Sequence, residues 1–170
     1  MQRTKTINEV SNDDREKVEI YFSCRNLKDM DVFSKTDPQL KLYKKIGKSW
    51  NLVGKTEVIK DNLNPDFTKS FILDFVFETK QPLKVEVIDI DNESGTKFEF
   101  VGEAEFTLGE LVGSVKGGLM KDLLDKGKKG GKVLMRAEKV SRSNDLLTLR
   151  FNVSDIGSYG MCSGKVSFIK

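Results

Sequence analysis

The chain has 170 residues, of which 29 are basic and 26 acidic, and its formal net charge is +3 at pH 7. This length accommodates one domain with a hydrophobic core but not two whole domains. Histidine is absent and there are only two cysteines, which excludes Ser-His-Asp and Cys-His catalysis and ordinary tetrahedral zinc sites. The small positive charge does not by itself indicate nucleic-acid binding.

Short apolar or alternating runs recur along the chain and predict β-strands. The first, VEIYFSCR at 18–25, places every second side chain on one apolar face. Further strands are predicted near 39–46, 51–58, 70–77, 83–90, 102–107 and 132–140, with a weaker one near 118–124. Regularly spaced strands without a long amphipathic helix predict an all-β, antiparallel β-sandwich.

Three other segments interrupt this pattern of strands. The segment TLGELVGSV at 107–115 predicts one or two helical turns, and KGKKGGK at 126–132 predicts a flexible hairpin loop. After the polar break SRSND, residues 146–170 predict two strands joined by a Gly-rich loop, which is too little to fold alone. The sequence therefore divides into a polar extension at 1–17, a sandwich at 18–140 and a linker with an incomplete β segment at 141–170.

Two predicted connections are acidic at spaced positions. Asp89 and Asp91 leave the end of one strand on the same side and repel each other unless a cation lies between them. Connections at one end of a sandwich cluster in space, and carboxylate oxygens are the usual ligands of calcium. Either loop alone also fits ordinary solvated turn chemistry. The acidic residues are Asp29, Asp31 and Asp37 in 26–38, and Asp89, Asp91, Glu93 and Glu99 in 89–99.

Four segments, in order and spacing, resemble the first C2 domain of the copine family: LKDMDVFSKTDPQLKL, DNLNPDFTKSF, VEVIDIDNESG and FVGEAEFTLGELV. The resemblance covers residues 18–140. It implies an eight-stranded antiparallel sandwich with calcium-binding loops at one end, and a non-enzymatic module that binds phospholipid in a calcium-dependent way. The segment at 145–170 resembles the start of a second C2 domain.

Carried over from the family, the calcium ligands fall on both acidic loops. Glu99, three residues before Gly102, stands where the family usually has Asp, and counting forward from Asp91 lands instead on Lys97. The implied set is the carboxylates of Asp31, Asp37, Asp89, Asp91 and Glu99, with the carbonyl groups of Met30 and Ile90.

The same resemblance implies an electrostatic switch, in which Ca²⁺ reverses the charge of the loops and anionic phospholipid then binds. Val32, Phe33 and Phe98 would enter the headgroup layer, although packing beneath the loops is an equal alternative for Phe33. A basic strand and turn would add lipid contacts. Its residues are Lys41, Lys44, Lys45 and Lys48.

The expected partners are an anionic membrane, contacted peripherally, and possible protein partners, with no nucleic acid. Two distant cysteines and a polar N-terminus predict a cytoplasmic protein that calcium recruits to the plasma membrane or other membranes. The alternative is a calcium-insensitive module that binds phosphoinositides or proteins through the basic strand face. An enzyme using paired carboxylates is disfavoured, because the sequence has no histidine and no nucleophile motif.

Overall fold

The computed structural model describes residues 15–29, 35–92, 94–114 and 118–140. The described residues form eight strands and one short helix, as the sequence pattern predicts. The elements are β1 (Arg15–Arg25), β2 (Pro38–Ile46), β3 (Ser49–Lys55), β4 (Phe71–Val76), β5 (Pro82–Ile90), β6 (Phe98–Thr107), α1 (Leu108–Val112), β7 (Leu119–Asp125) and β8 (Lys128–Lys139).

All strand pairings are antiparallel, in the order β3-β2-β5-β6-β7-β8-β1-β4. Strands β6 and β7 are joined through a single register pair, Glu103 with Leu124. This junction is the boundary between the two layers of the sandwich, β3-β2-β5-β6 and β7-β8-β1-β4. The predicted fold class is therefore confirmed for the described residues.

The core lies between the layers and is built from the alternating positions of the strands. In β1 the buried side chains are Val18, Ile20, Phe22 and Cys24, which is the apolar face that the sequence predicts. Burying a side chain of this size contributes about 1.5–3 kcal/mol of hydrophobic free energy. Burial also raises the pKa of the Cys24 thiol to about 12, so this cysteine is uncharged at neutral pH.

Several boundaries differ from those predicted. Strand β1 begins at Arg15, three residues inside the predicted polar extension. Strand β8 begins at Lys128, so most of the predicted hairpin loop at 126–132 is strand, and the turn is confined to Lys126 and Gly127. The predicted incomplete β segment at 141–170 lies outside the described residues.

Helix α1 begins at a complete capping box. The side chain of Thr107 accepts a 3.1 Å hydrogen bond from the backbone N of Glu110, and Oε2 of Glu110 accepts a 2.7 Å bond from the backbone N of Thr107. These reciprocal bonds satisfy donors that the first turn of a helix leaves without partners. They fix the reversal of the chain after β6.

Among the described strands, β4 is the last in the sheet order, and the side chain of Gln81 covers part of its outer edge. The amide Nε2 of Gln81 donates a 2.8 Å hydrogen bond to the carbonyl O of Asp74. Its Oε1 accepts a 3.0 Å bond from the backbone N of Val76. One side chain thus satisfies a donor and an acceptor that a neighbouring strand would otherwise use.

Candidate functional site

The two acidic connections meet at one end of the sandwich. The backbone N of Asp37, just before β2, donates a 2.6 Å hydrogen bond to Oδ1 of Asp89, near the end of β5. The backbone N of Ile90 in turn donates a 3.1 Å bond to the carbonyl O of Asp37. The second bond extends the β2–β5 ladder by one step beyond its last register pair, Pro38 with Asp89, and the first adds a side-chain contact at the same place. The convergence expected from the sandwich fold is therefore present.

A cleft of about 410 Å³ opens at this junction. Two carboxylate residues that are far apart in sequence, Asp37 and Asp91, border it from opposite loops. We call this feature the acidic cleft. Its lining residues are Asp37, Val58, Lys60, Ile90, Asp91 and Asn92.

The connection that follows β3 also contributes to this end of the sandwich, which the sequence analysis missed. Val58 and Lys60 line the acidic cleft, and the backbone N of Asp61 donates a 2.7 Å hydrogen bond to Oδ1 of Asp37. Asp61 has a φ of 52°, and its own Oδ1 accepts a 3.2 Å bond from the backbone N of Lys35. The strand order provides the missing signal, because β3 ends where β2 begins.

The carboxylates of Asp89, near the end of β5, and Asp91, just after it, differ in their surroundings. Asp89 is buried, with 1% of its surface exposed, and continues the core-facing row of Val85 and Val87. The side chain of Asp91 is 14% exposed and lies 3.9 Å from the ammonium of Lys97, measured from Oδ2 to Nζ. Asp89 is therefore held within the protein, whereas Asp91 is accessible at the acidic cleft.

Glu99 occupies a strand position instead of a loop position. It is the second residue of β6 and pairs with Asp89 in the β5–β6 register. Directly opposed residues of an antiparallel pair point to the same face of the sheet, so Glu99 extends from the same side as Asp89. Glu99 is exposed.

The donor types at this end suit calcium, which prefers carboxylate and carbonyl oxygens. Within the described ranges, however, no three acidic or cysteine side chains lie close enough to hold a metal ion. Asp37, Asp89 and Asp91 supply oxygens of a suitable type but do not by themselves form a complete cation site. Four predicted residues lie outside the described residues: Met30, Asp31, Val32 and Phe33.

Phe98 lies on a strand face. It is the first residue of β6, pairs with Ile90 in the register, and is 48% exposed. The ammonium of Lys41, on β2, lies 4.6 Å from the centroid of its ring. The predicted lipid-contacting aromatic and the first predicted lysine therefore form one cation–π pair next to the acidic cleft.

The four predicted lysines are divided between surfaces. Lys41 and Lys45 alternate with the buried Leu40 and Leu42 and point away from the core, on what we call the outer face of the β3-β2-β5-β6 layer. Lys44 pairs with the buried Leu83, so its side chain lies on the inner side of the sheet, at the end of β2 that is distant from the acidic cleft. The remaining lysine, Lys48, lies in the turn between β2 and β3.

The outer face also contains a cluster of opposite charges that the sequence analysis missed. The ammonium of Lys84 lies 2.6 Å from Glu86 and 3.1 Å from Glu103. It also lies 5.2 Å from the ring centroid of Tyr43 and 5.6 Å from that of Trp50.

Burial lowers the pKa of Lys84, but the bonds to the two carboxylates outweigh this effect and raise it. Burial, and then the bond to Glu86, raises the pKa of Tyr43 to about 12. Two acidic groups thus offset part of the positive charge of this face.

In the part of the chain that the structure describes, no helix has the length and apolar character needed to cross a membrane.

Comparison with known proteins agrees with the geometry. A sequence model of the C2 domain family matches residues 17–123. Copine-E of Dictyostelium discoideum is 36% identical over 159 residues, which covers 89% of this chain and 27% of the relative. Copine-B of the same organism is 33% identical over 145 residues, covering 80% of this chain and 27% of the relative. The chain thus spans about a quarter of the length of these relatives.

Solved structures show the same fold. The structure described as BON1-C2B is 31% identical, with a TM-score of 0.55 over 75% of this chain and 90% of that one. A C2 domain of plant Extended Synaptotagmin 1 is 21% identical, with a TM-score of 0.57 over 75% of this chain and 97% of that one. Strand number, antiparallel pairing and sequence likeness agree, and the chain therefore belongs to the C2 domain family as a copine-like C2 domain.

Proposed function

We propose that this chain is a non-enzymatic module that binds anionic phospholipid membranes when Ca²⁺ occupies the acidic loops. The observation that carries the proposal is the meeting of Asp37 and Asp91 at one cleft, with Asp89 joined by a hydrogen bond to the backbone of Asp37. Membership of the C2 domain family and the likeness to copines support it.

The protein's part is to hold oxygen donors from separate loops at one place. Asp37 and Asp91 present carboxylates at the acidic cleft, and Asp89 supports them from within. A bound Ca²⁺ supplies positive charge and open coordination positions for the oxygens of anionic lipid. The proposed ligands are the carboxylates of Asp31, Asp37, Asp89, Asp91 and Glu99 and the carbonyl groups of Met30 and Ile90.

Lipid contact extends from the loops onto the outer face. Phe98 offers a half-exposed ring and Lys41 an ammonium at the same position, which together suit the boundary between acyl chains and charged headgroups. Each lysine near an anionic surface contributes about 1 kcal/mol. The other proposed lipid-contacting residues are Val32, Phe33, Lys44, Lys45 and Lys48. The expected site of action is the cytoplasmic surface of a membrane, with protein partners as further candidates.

One observation favours a second candidate, a calcium-insensitive contact with phosphoinositides or proteins through the outer face. The ammonium of Lys45 lies 5.2 Å from the ring centroid of Trp50, toward the end of β2 that is distant from the acidic cleft. This pair can meet an anionic group without any contribution from the loops. Glu86 and Glu103 reduce the positive charge of this face, so we place this candidate second.

The test is co-sedimentation with phosphatidylserine-containing liposomes at fixed salt, in calcium and in chelator. We expect the protein to pellet only in calcium, and the double variant Asp89→Asn, Asp91→Asn to remain in the supernatant. Liposomes of phosphatidylcholine alone are the lipid control. Equal pelleting in calcium and in chelator, abolished in the Lys41→Gln, Lys45→Gln variant, would establish the second candidate instead.

A further inference from the structure

Asp91, which borders the acidic cleft, already has a positively charged partner within the protein. A second lysine, Lys60, lines the cleft itself. The ammonium of Lys97 lies 3.9 Å from Oδ2 of Asp91, and its side chain is 78% exposed. Asp91 thus has an ion pair with a lysine that immediately precedes the facing strand, β6. The charge of Asp91 is partly offset before any external cation arrives.

The backbone fixes Lys97 opposite Asp91. The backbone N of Asp91 donates a 3.1 Å hydrogen bond to the carbonyl O of Lys97. The side-chain oxygen of Asn92 accepts bonds of 3.0 Å from the backbone N of Thr96 and 3.1 Å from that of Lys97. Because three hydrogen bonds hold this turn, the ammonium is tethered within reach of the acidic cleft.

Lys97 adds no oxygen donor beside Asp91. An ammonium has three donors and no acceptor, so it cannot coordinate a cation. The next acidic residue in sequence, Glu99, lies on β6 opposite Asp89. The side chain that pairs with Asp91 therefore brings a competing positive charge instead of an oxygen donor.

We infer that Lys97 is a built-in counter-ion of Asp91 that weakens calcium binding at the acidic cleft. The inference rests on the proposed calcium site and identifies a residue that lowers its affinity. A cation binding beside Asp91 displaces the ammonium, which the flexible and exposed Lys97 side chain permits. Removing the ammonium favours the calcium-bound form, and a carboxylate at this position adds a donor.

The experiment is isothermal titration of calcium into the lipid-free protein, which reports affinity and stoichiometry separately from membrane binding. We compare wild type with Lys97→Gln, Lys97→Asp and the control Lys80→Gln. Lys80 is an exposed residue between β4 and β5, at the opposite end of the sandwich, and its substitution by Gln changes the net charge as much as Lys97→Gln does. Lys97 is exposed, so these variants preserve the core.

We expect Lys97→Gln to bind calcium about two- to fivefold more tightly than wild type and Lys80→Gln do, because an exposed ion pair contributes a free energy of this size. Lys97→Asp should bind calcium at least as tightly as Lys97→Gln. If wild type binds calcium and both Lys97 variants bind it equally well, this inference is overturned and the proposed function is left intact. No calcium uptake by any of the four proteins at millimolar concentration would overturn both.

Discussion

The backbone N–H of Asp37 donates a 2.6 Å hydrogen bond to the carboxylate of Asp89, and this bond joins two residues that are 52 positions apart in sequence. A carboxylate that accepts a backbone hydrogen bond while almost fully buried supports the fold in addition to any ligand role. Asp91 is nearer to solvent and faces the acidic cleft. The two aspartates of the IDID segment are thus separable by experiment.

Asp89→Ala should destabilise the protein in the absence of calcium. The change leaves the backbone N–H of Asp37 without the acceptor that it now uses, at a cost of about 1–3 kcal/mol. Asp91→Ala loses an ion pair to an exposed lysine and should cost about 0–1 kcal/mol. Urea unfolding in chelator measures both. Equal free energies of unfolding for the two variants would contradict the distinction.

Phe98→Ala should weaken calcium-dependent binding to phosphatidylserine vesicles by roughly fivefold, because partial burial of one Phe ring contributes about 1 kcal/mol. The matched control is Phe77→Ala, since Phe77 is 70% exposed but lies after β4, at the other end of the sandwich. Vesicle titration followed by sedimentation measures both. If Phe77→Ala weakens binding as much, the membrane contacts a different end of the molecule.

Gly130→Ala should prevent stable folding. A Cβ atom at this position in β8 would lie 2.0 Å from the carbonyl O of Val101, and backbone atoms of a packed strand cannot move far enough to relieve that overlap. We expect a loss of at least about 3 kcal/mol. In the control Gly109→Ala, a Cβ in helix α1 meets nothing within 4 Å, and stability should rise by up to about 1 kcal/mol. Soluble yield and thermal unfolding distinguish the two.

Glu57 should make stability depend on acid pH. Its carboxylate accepts bonds of 2.6 and 2.9 Å from Thr68 and 3.3 Å from the backbone N of Lys69. Partial burial raises the pKa of Glu57, but these hydrogen bonds lower it more, to below its ordinary 4.5. The stabilisation from a lowered folded-state pKa is fully present above the unfolded-state pKa and is lost as the pH falls through the folded-state pKa.

The measurement is the urea midpoint of wild type and Glu57→Gln between about pH 6 and pH 3, a range that spans the ordinary Glu pKa. Wild type should be more stable at about pH 6, and the difference between the two proteins should shrink as the pH falls below the ordinary pKa of 4.5. A difference that stays constant across this range would show that the charge of Glu57 is not responsible.

The strands could be predicted because a sandwich imposes alternation on each of them. Val18, Ile20 and Phe22 show the pattern directly, and their burial confirms it. The two acidic loops could be placed together because connections at one end of a sandwich cluster. The errors at strand boundaries, such as the start of β8, arise because lysine and glycine carry little strand signal even where the backbone is paired.

Contacts between strands could not be predicted in the same way. The pairing of Lys97 with Asp91, and of Lys84 with Glu103, depends on register and on the irregularity between Val87 and Ile88. A one-residue slip in register exchanges the two faces of a strand, and composition does not specify that register. The same register places Lys41 and Lys45 on the outer face and Lys44 on the inner side of the sheet.

The hydrogen bonds of the Gln81 side chain affect how two molecules of this protein meet when many lie close together on a surface. Proteins gathered on a bilayer meet one another edge to edge, and an open strand edge invites an incoming strand from a second molecule. At β4 the outward-facing carbonyl of Asp74 and N–H of Val76 are already bonded to Gln81. At this edge, Gln81 therefore opposes intermolecular β-pairing, including at the high surface density that the proposed membrane binding would produce.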